Sequence, residues 1–342
     1  MLLSRSNFVT KIVKWLMLGI GLFLTVFSLA TAQTSDIGSV GGSARAWPNK
    51  PIRLVVGFAA GGVTEIMGRA LAQKLSVQLN NPVYVDLRTG ADSLLASQNV
   101  ARSEPDGHTL YFASAAHAVN QHMFKNAGFD AVSDFSIISL YCDIPNVIAI
   151  NPTLPVKNLQ EFIAYAKARK GQLNYSTSAS GTFLATELLL RSTGIELQRV
   201  PYKGAAPAML ALLANDVQLI VTGIGTVTPY LETNKIKVLA IASEKRSPLA
   251  PNIPTAIESG VPNHTTSTWY AVIAPPKMPR DLIARINSEI RKALSDQELI
   301  NSLYKLGSIP LPSTPLEAEN FILNEVEKWR KIILATNSQV ND

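Results

Sequence analysis

Four short segments set small and hydroxyl-bearing residues where an apolar strand gives way to a helix, a placement suited to holding an anion. The first is Phe58-Ala59-Ala60-Gly61-Gly62-Val63-Thr64-Glu65. Gly61 and Gly62 let backbone N–H groups approach a ligand, Thr64 can cap the helix or offer its hydroxyl, and the helix start adds the positive end of its dipole. The second is Ser176-Thr177-Ser178-Ala179-Ser180-Gly181-Thr182, the third Pro201-Tyr202-Lys203-Gly204-Ala205-Ala206-Pro207, and the fourth Thr222-Gly223-Ile224-Gly225-Thr226. Each taken alone is an ordinary strand-to-helix turn with nothing bound, and the Gly-Gly pair fits neither a dinucleotide fingerprint nor a P-loop. Ligands of open α/β sheets sit beyond the carboxyl ends of strands, so four such segments together favour one shared site.

Catalytic chemistry finds little support. His108, His117, His122 and His264 lack an H-E-x-x-H spacing, and His117 and His122 are five apart, off a common helical face. Solvated or turn positions suit these histidines, with His117 the one candidate for a pocket. There is no G-x-S-x-G elbow, and the single cysteine, Cys142, has no obvious partner. Glu65 and Asp92 are two acids that nothing brings to a reactive centre. One cysteine also excludes an internal disulfide and a thiolate zinc site. The expectations are no enzyme activity, no metal and no cofactor.

The elements that must position these segments alternate. Ile52–Phe58 is a buried strand, Thr64–Leu79 a helix with Ile66, Ala70, Leu71, Leu75 and Leu79 on one stripe, and Val83–Asp86 a short strand. A helix over Leu94–Arg102, a turn at Pro105-Asp106-Gly107 and a strand over Thr109–Ala113 complete a βαβαβ unit. The pattern restarts with a strand at Asn146–Ile150. Asn158 and Glu161 form a capping box for a helix reaching Arg169. Strands at Leu173–Tyr175, Leu197–Val200, Val217–Val221 and Val238–Ala242 alternate with helices at Phe183–Ser192 and Pro207–Ala214. The strand TWYAVIAP follows Ser267, then only helices: Pro279–Leu294, Gln297–Leu306, and one opened by Thr314-Pro315-Leu316-Glu317 and running to about Ala335. Two α/β lobes follow, one over 47–145 plus 268–342 and one over 146–267.

The chain has 342 residues with 31 Lys+Arg, 25 Asp+Glu and a formal net charge of +6. Residues 1–32 hold Arg5, Lys11 and Lys14, no acid, the uncharged run WLMLGIGLFLTVFSLA and then Ala30-Thr31-Ala32. That is the build of a secretory signal peptide cut after Ala32, although the apolar run is almost long enough for an uncleaved anchor. Removing it takes away three basic residues and halves the excess to +3. No dense Lys/Arg run remains, which disfavours nucleic-acid binding. Residues 33–46 form a small, polar and flexible lead-in, and Cys142 is expected to be a buried small hydrophobe.

The run Trp47-Pro-Asn-Lys-Pro-Ile-Arg-Leu-Val-Val-Gly-Phe-Ala-Ala-Gly-Gly-Val-Thr-Glu resembles the start of the Bug family, the TctC-like periplasmic solute receptors of tripartite tricarboxylate transporters. Pro105-Asp106-Gly107-His108-Thr109-Leu110, Val200-Pro201-Tyr202-Lys203-Gly204, Lys245-Arg246-Ser247-Pro248, Ile253-Pro254-Thr255, Glu258-Ser259-Gly260-Val261-Pro262 and Trp269 carry it further, from about Trp47 to Ala335. The resemblance implies a two-lobed, type II-like periplasmic-binding-protein (Venus flytrap) α/β fold that closes a cleft over a small carboxylate. It implies a clasp of Ala60, Gly61, Gly62 and Thr64 facing Ser178, Ser180 and Thr182, with Ser114, His117, Lys203, Gly204, Ala205 and Gly223 lining the rest. It further implies a periplasmic monomer that delivers its ligand to TctA/TctB-like membrane subunits or, alternatively, signals to a membrane sensor kinase.

The chain also departs from the family. Ala59-Ala60 stands where Pro-Pro is usual, and Glu65 where Asp is usual. Leu87-Arg88-Thr89-Gly90-Ala91-Asp92-Ser93 stands for the common Asn-Arg-Pro-Gly-Ala-Gly-Gly. Thr222-Gly223-Ile224 lacks the acid or amide often found there, which disfavours recognition of a ligand ammonium. A longer side chain at Glu65 and an added charge at Asp92 can narrow or repel a carboxylate site.

Overall fold

Strand β1 (Ile52–Val56) is apolar except for Arg53 and is buried along almost its whole length, as a strand covered on both faces must be. It pairs in parallel with β2 (Val83–Leu87) on one side and β3 (Thr109–Ser114) on the other. Helix α1 (Val63–Leu79) returns the chain between β1 and β2, burying Met67, Leu71 and Leu75 and ending on Asn80 in the left-handed conformation. These facts come from a computed structural model that describes residues 47–231 and 233–339. The proposed signal peptide and the lead-in at 33–46 lie outside the described residues.

Beyond α2 (Leu94–Ala101) and α3 (Ala116–Met123) comes β4 (Ser136–Ile150), the long strand on which the fold turns. Its first part pairs antiparallel with β9 (Ser267–Ala274), which in turn pairs with β3. From Asn146 onward it pairs antiparallel with β7 (Leu219–Gly223) and β8 (Lys237–Ile241). The remaining strands, β5 (Asn174–Thr177) and β6 (Gln198–Pro201), extend this part in parallel, giving the order β2-β1-β3-β9-β4-β7-β5-β6. Helices α4 (Leu159–Lys167), α5 (Ser180–Thr193), α6 (Ala205–Ala214) and α7 (Ile224–Leu231) belong to the second part. The chain ends with α8 (Arg280–Ala293), α9 (Gln297–Lys305), a two-residue strand β10 (Ile309–Pro310) on β4, and α10 (Pro315–Thr336). The expected absence of strands after 275 is corrected by β10.

The two halves of the sheet have separate cores. One gathers Val55, Tyr111, Ala118, Phe135, Trp269, Ile322 and Trp329. The other gathers Ile148, Phe162, Tyr175, Leu189 and Val221. Helix α5 serves both, with Leu184 in the first and Ala185 and Leu189 in the second.

Two expectations about element boundaries change, and one helix appears where none was expected. Strand β4 begins at Ser136 rather than Asn146, continuing through Pro145. That proline sits where pairing passes from β9 to β7 and β8, so its missing N–H interrupts no continuous ladder. Helix α3 showed no apolar stripe because it buries His117 and Asn120 beside Ala118, Val119 and Met123. Thr222–Thr226 is not a loop: β7 ends at Gly223 and α7 starts at Ile224. The backbone of Gly225 there lies against Gly307, where a Cβ would meet the Leu306 carbonyl oxygen at 2.3 Å. Asn158 caps its helix by accepting from the Glu161 N–H at 2.9 Å, but Glu161 returns to the Lys157 N–H rather than to that of Asn158, so the predicted box is incomplete. At Thr314 the box is reciprocal, Thr314 accepting from the Glu317 N–H at 3.3 Å and the Glu317 carboxylate from the Thr314 N–H at 2.8 Å.

Candidate functional site

The segment after β1 turns through Gly61 at φ +81°, and α1 is capped by Gly62, not Thr64. The Gly61 N–H donates to a Glu65 carboxylate oxygen at 3.3 Å, and Glu65 also pairs with Arg69 one turn on. The Arg69 guanidinium holds the Glu65 carboxyl below its ordinary range, helped by the Gly61 N–H and opposed by burial. Thr64 turns inward, its hydroxyl 3.1 Å from the phenol of Tyr270 on β9. Burial pushes that phenol up to about 12. Register places Ser114, the last residue of β3, opposite Tyr270. Ser114 is 5% exposed, and its hydroxyl has no hydrogen-bond partner among the described residues.

The segment after β5 is shaped by Thr182. Its hydroxyl accepts from the N–H groups of Ser178 and Ala179, both at 3.2 Å, and donates to the Ala179 carbonyl at 3.0 Å. That hydroxyl is committed to the turn. Ser180, the first residue of α5, directs both its hydroxyl and its N–H to the carboxylate of Asp92. Burial raises the Asp92 pKa, while the Ser180 donors oppose the rise.

Asp92 follows β2 and Ser180 follows β5, so this contact joins the carboxyl-end loops of the two halves of the sheet. A cavity of about 330 Å³ lies beside it. Asp92, Met123 and Phe124 line one side; Thr177–Ser180, Phe183, Arg199 and Tyr202 line the other. Arg199 is held flat, its guanidinium carbon 3.9 Å above the Phe183 ring and its Nε–H donating to Thr177 at 3.2 Å.

The turn carrying Asp92 is strained. Ala91, Asp92 and Ser93 take φ of +45°, +50° and +73°, each costing of the order of 1 kcal/mol for a residue with a side chain. Two anchors hold it: Asn120 Nδ2 donates to the Asp92 carbonyl at 2.7 Å, and Ser93 packs against Gly57, where an added Cβ would lie 2.2 Å from the Ser93 Cβ.

Of the residues expected at the site, Ser178 and Ser180 line this cavity. Thr64 and Ser114 meet around Tyr270, and Thr182 shapes its own turn. Ala60, Gly61 and Gly62 are exposed on the β1–α1 turn. Lys203, Gly204 and Ala205 open α6 on the surface beside Tyr202, and Gly223 packs on Ile144. His117 leaves the set. It is fully buried, with Nε2 2.9 Å from the Ala131 carbonyl and Nδ1 3.1 Å from the Ser97 hydroxyl, so neither ring nitrogen is left for a ligand. Arg199, Phe183 and Tyr270 carried no sequence signal, because each sits in or beside an apolar strand or helix pattern; Tyr202 stood in the third segment without a role of its own. Among the described residues no group of His, Cys, Asp and Glu could hold a metal ion.

Comparison with known proteins places this architecture. The tripartite tricarboxylate transporter family receptor matches residues 67–338. The chain is 30% identical to BugT of Bordetella pertussis over 325 residues, 94% of this chain and 97% of BugT. Among solved structures it resembles Rpa4515 of R. palustris with adipate, at 30% identity and a TM-score of 0.74 over 84% of this chain and 97% of that one. It also resembles MatC of Rhodopseudomonas palustris with bound malate, at 27% identity and a TM-score of 0.72 over 84% of this chain and all of that one. The fold is the two-lobed α/β fold of periplasmic binding proteins, and the chain belongs to the Bug, or TctC, family of periplasmic solute-binding receptors.

Proposed function

We propose that this protein captures a small carboxylate in the cleft between its lobes and delivers it to a membrane transporter, without catalysis. The observation that carries this reading is the meeting of the β2 and β5 carboxyl-end loops beside a cavity of about 330 Å³. In support, the structural relatives Rpa4515 and MatC hold adipate and malate. The lobes are 47–145 plus 268–342 and 146–267. In support, most of each core falls within one lobe, with Leu184 of α5 the exception, and the pairing of β4 passes from β9 to β7 and β8 at Pro145–Asn146.

The ligand is held by backbone N–H groups of the Gly62–Thr64 helix start and by the Ser178 hydroxyl, with water completing the fit, while the Ser180 hydroxyl is taken by Asp92. Such donors hold an anion without a fixed counter-charge, and closure of the lobes presents a changed surface to the membrane partner. A thermal-shift screen of the mature protein over carboxylates, amides and aromatic acids tests the reading, with calorimetry on the hits. A native-state ligand at a hundredfold its Kd adds about 2.7 kcal/mol of stability. The reading fails if no carboxylate raises the melting temperature, or if amides alone do so.

A further inference from the structure

The donors at the start of α5 already hold a carboxylate, and it belongs to the chain. Asp92 accepts both the hydroxyl and the N–H of Ser180. Asp92 forms no ion pair among the described residues. Arg199 lines the same cavity, but its guanidinium is spread over Phe183 and tied to Thr177. The turn that aims Asp92 is held in left-handed geometry from two directions, by Asn120 and by the close approach of Gly57. A backbone kept in that region by residues other than glycine is a built feature, since strain persists only where the surroundings over-determine it.

We propose that Asp92 is a specificity-determining residue of the cleft: its carboxylate takes the Ser180 donors that an anionic ligand end would use. The cleft therefore accepts a monocarboxylate whose far end is neutral or carries a hydrogen-bond donor, and it rejects dicarboxylates. This rests on the carboxylate-capture reading. The physical cause is direct: a second carboxylate at that mouth would meet Asp92 beside it, while the lining cation Arg199 is stacked on Phe183, and like charges at close range are unfavourable. A neutral end avoids this, and an amide or ammonium end turns Asp92 into an acceptor.

A matched series of equal length isolates the effect: hexanoate, 6-aminohexanoate and adipate, with butyrate, 4-aminobutyrate and succinate as the shorter set. Calorimetry is run on the mature protein and on the variants Asp92→Asn and Asp92→Gly. Asn keeps the size without the charge, and Gly suits the left-handed backbone, so that variant should fold. The expected result is that the unaltered protein binds a monocarboxylate at least tenfold more tightly than the dicarboxylate of equal length. Both variants should gain at least tenfold in dicarboxylate affinity. The proposal is overturned if the unaltered protein prefers the dicarboxylate, or if the variants shift both ligand types equally. Binding without discrimination removes only the role of Asp92. A failure of every member to bind any of the three proteins removes the capture reading itself.

Discussion

The hydroxyl of Thr64 and the phenol of Tyr270 meet at 3.1 Å, joining the first turn of α1 to β9 across 206 positions of sequence. Both groups are nearly buried, Thr64 at 7% exposure and Tyr270 at 4%. The contact fixes the inner end of the β1–α1 turn against the central sheet.

Thr64→Val should therefore destabilise the protein by about 1–3 kcal/mol, the cost of leaving a buried phenol unpaired. Tyr270→Phe should cost a similar or smaller amount, and the double variant less than the two together. Urea unfolding of the four proteins closes the cycle. Strict additivity would show that the two groups do not act as a pair.

A second buried linkage ties β9 to the C-terminal helix. One carboxylate oxygen of Glu325 accepts from the indole N–H of Trp269 at 2.9 Å and of Trp329 at 3.0 Å, while the other pairs with Lys328. Glu325→Leu orphans two buried donors and should cost about 2–5 kcal/mol. The emission spectra of Trp269 and Trp329 should shift with it. Unchanged stability would show that the indoles find other partners.

Much of this arrangement was legible in the sequence. The alternation of apolar runs with amphipathic stretches disclosed both α/β units, and the N-caps at Asn158 and Thr314 marked helix starts because their chemistry is local. Strand β4 was half hidden, since Pro145 looks like a break when its partners on both sides are unknown. Helix α3 was hidden because its buried face includes His117 and Asn120, so no apolar stripe can be read from it. The partner of Thr64 was hidden for a related reason. Its hydroxyl could cap a helix locally, but Tyr270, 206 positions away, takes it instead. Asp92 stood out only as a departure; the contact with Ser180 depends on two loops from different halves of the sheet.

Cys142 should be chemically silent in the native protein. It is fully buried beside Met67, and burial pushes its thiol well above the ordinary range, leaving almost no thiolate at neutral pH. A chromogenic disulfide reagent at pH 8 should find no reactive thiol in the folded protein and one equivalent after denaturation. Rapid reaction without denaturant would mean that β4 opens around this residue.

Acid should destabilise the fold before its carboxylates are widely protonated. Burial lowers the pKa of both His117 and His264 to about 4, against an unfolded value near 6.5. Between those values the unfolded chain binds protons that the folded chain does not, so stability is complete above pH 6.5 and falls as pH drops toward 4. A shift of this size corresponds to roughly 3 kcal/mol per histidine as an upper bound. Asp143 acts in the opposite sense. Burial raises its pKa to about 6, so its contribution is present below the unfolded carboxyl value and is lost as pH rises through 6. Two histidines against one aspartate leave a net loss on acidification. Urea midpoints at pH 7.5, 6, 5 and 4.5 should fall in that order, more shallowly for His117→Asn and more steeply for Asp143→Asn. A flat profile for the unaltered protein would show that these histidines reach solvent.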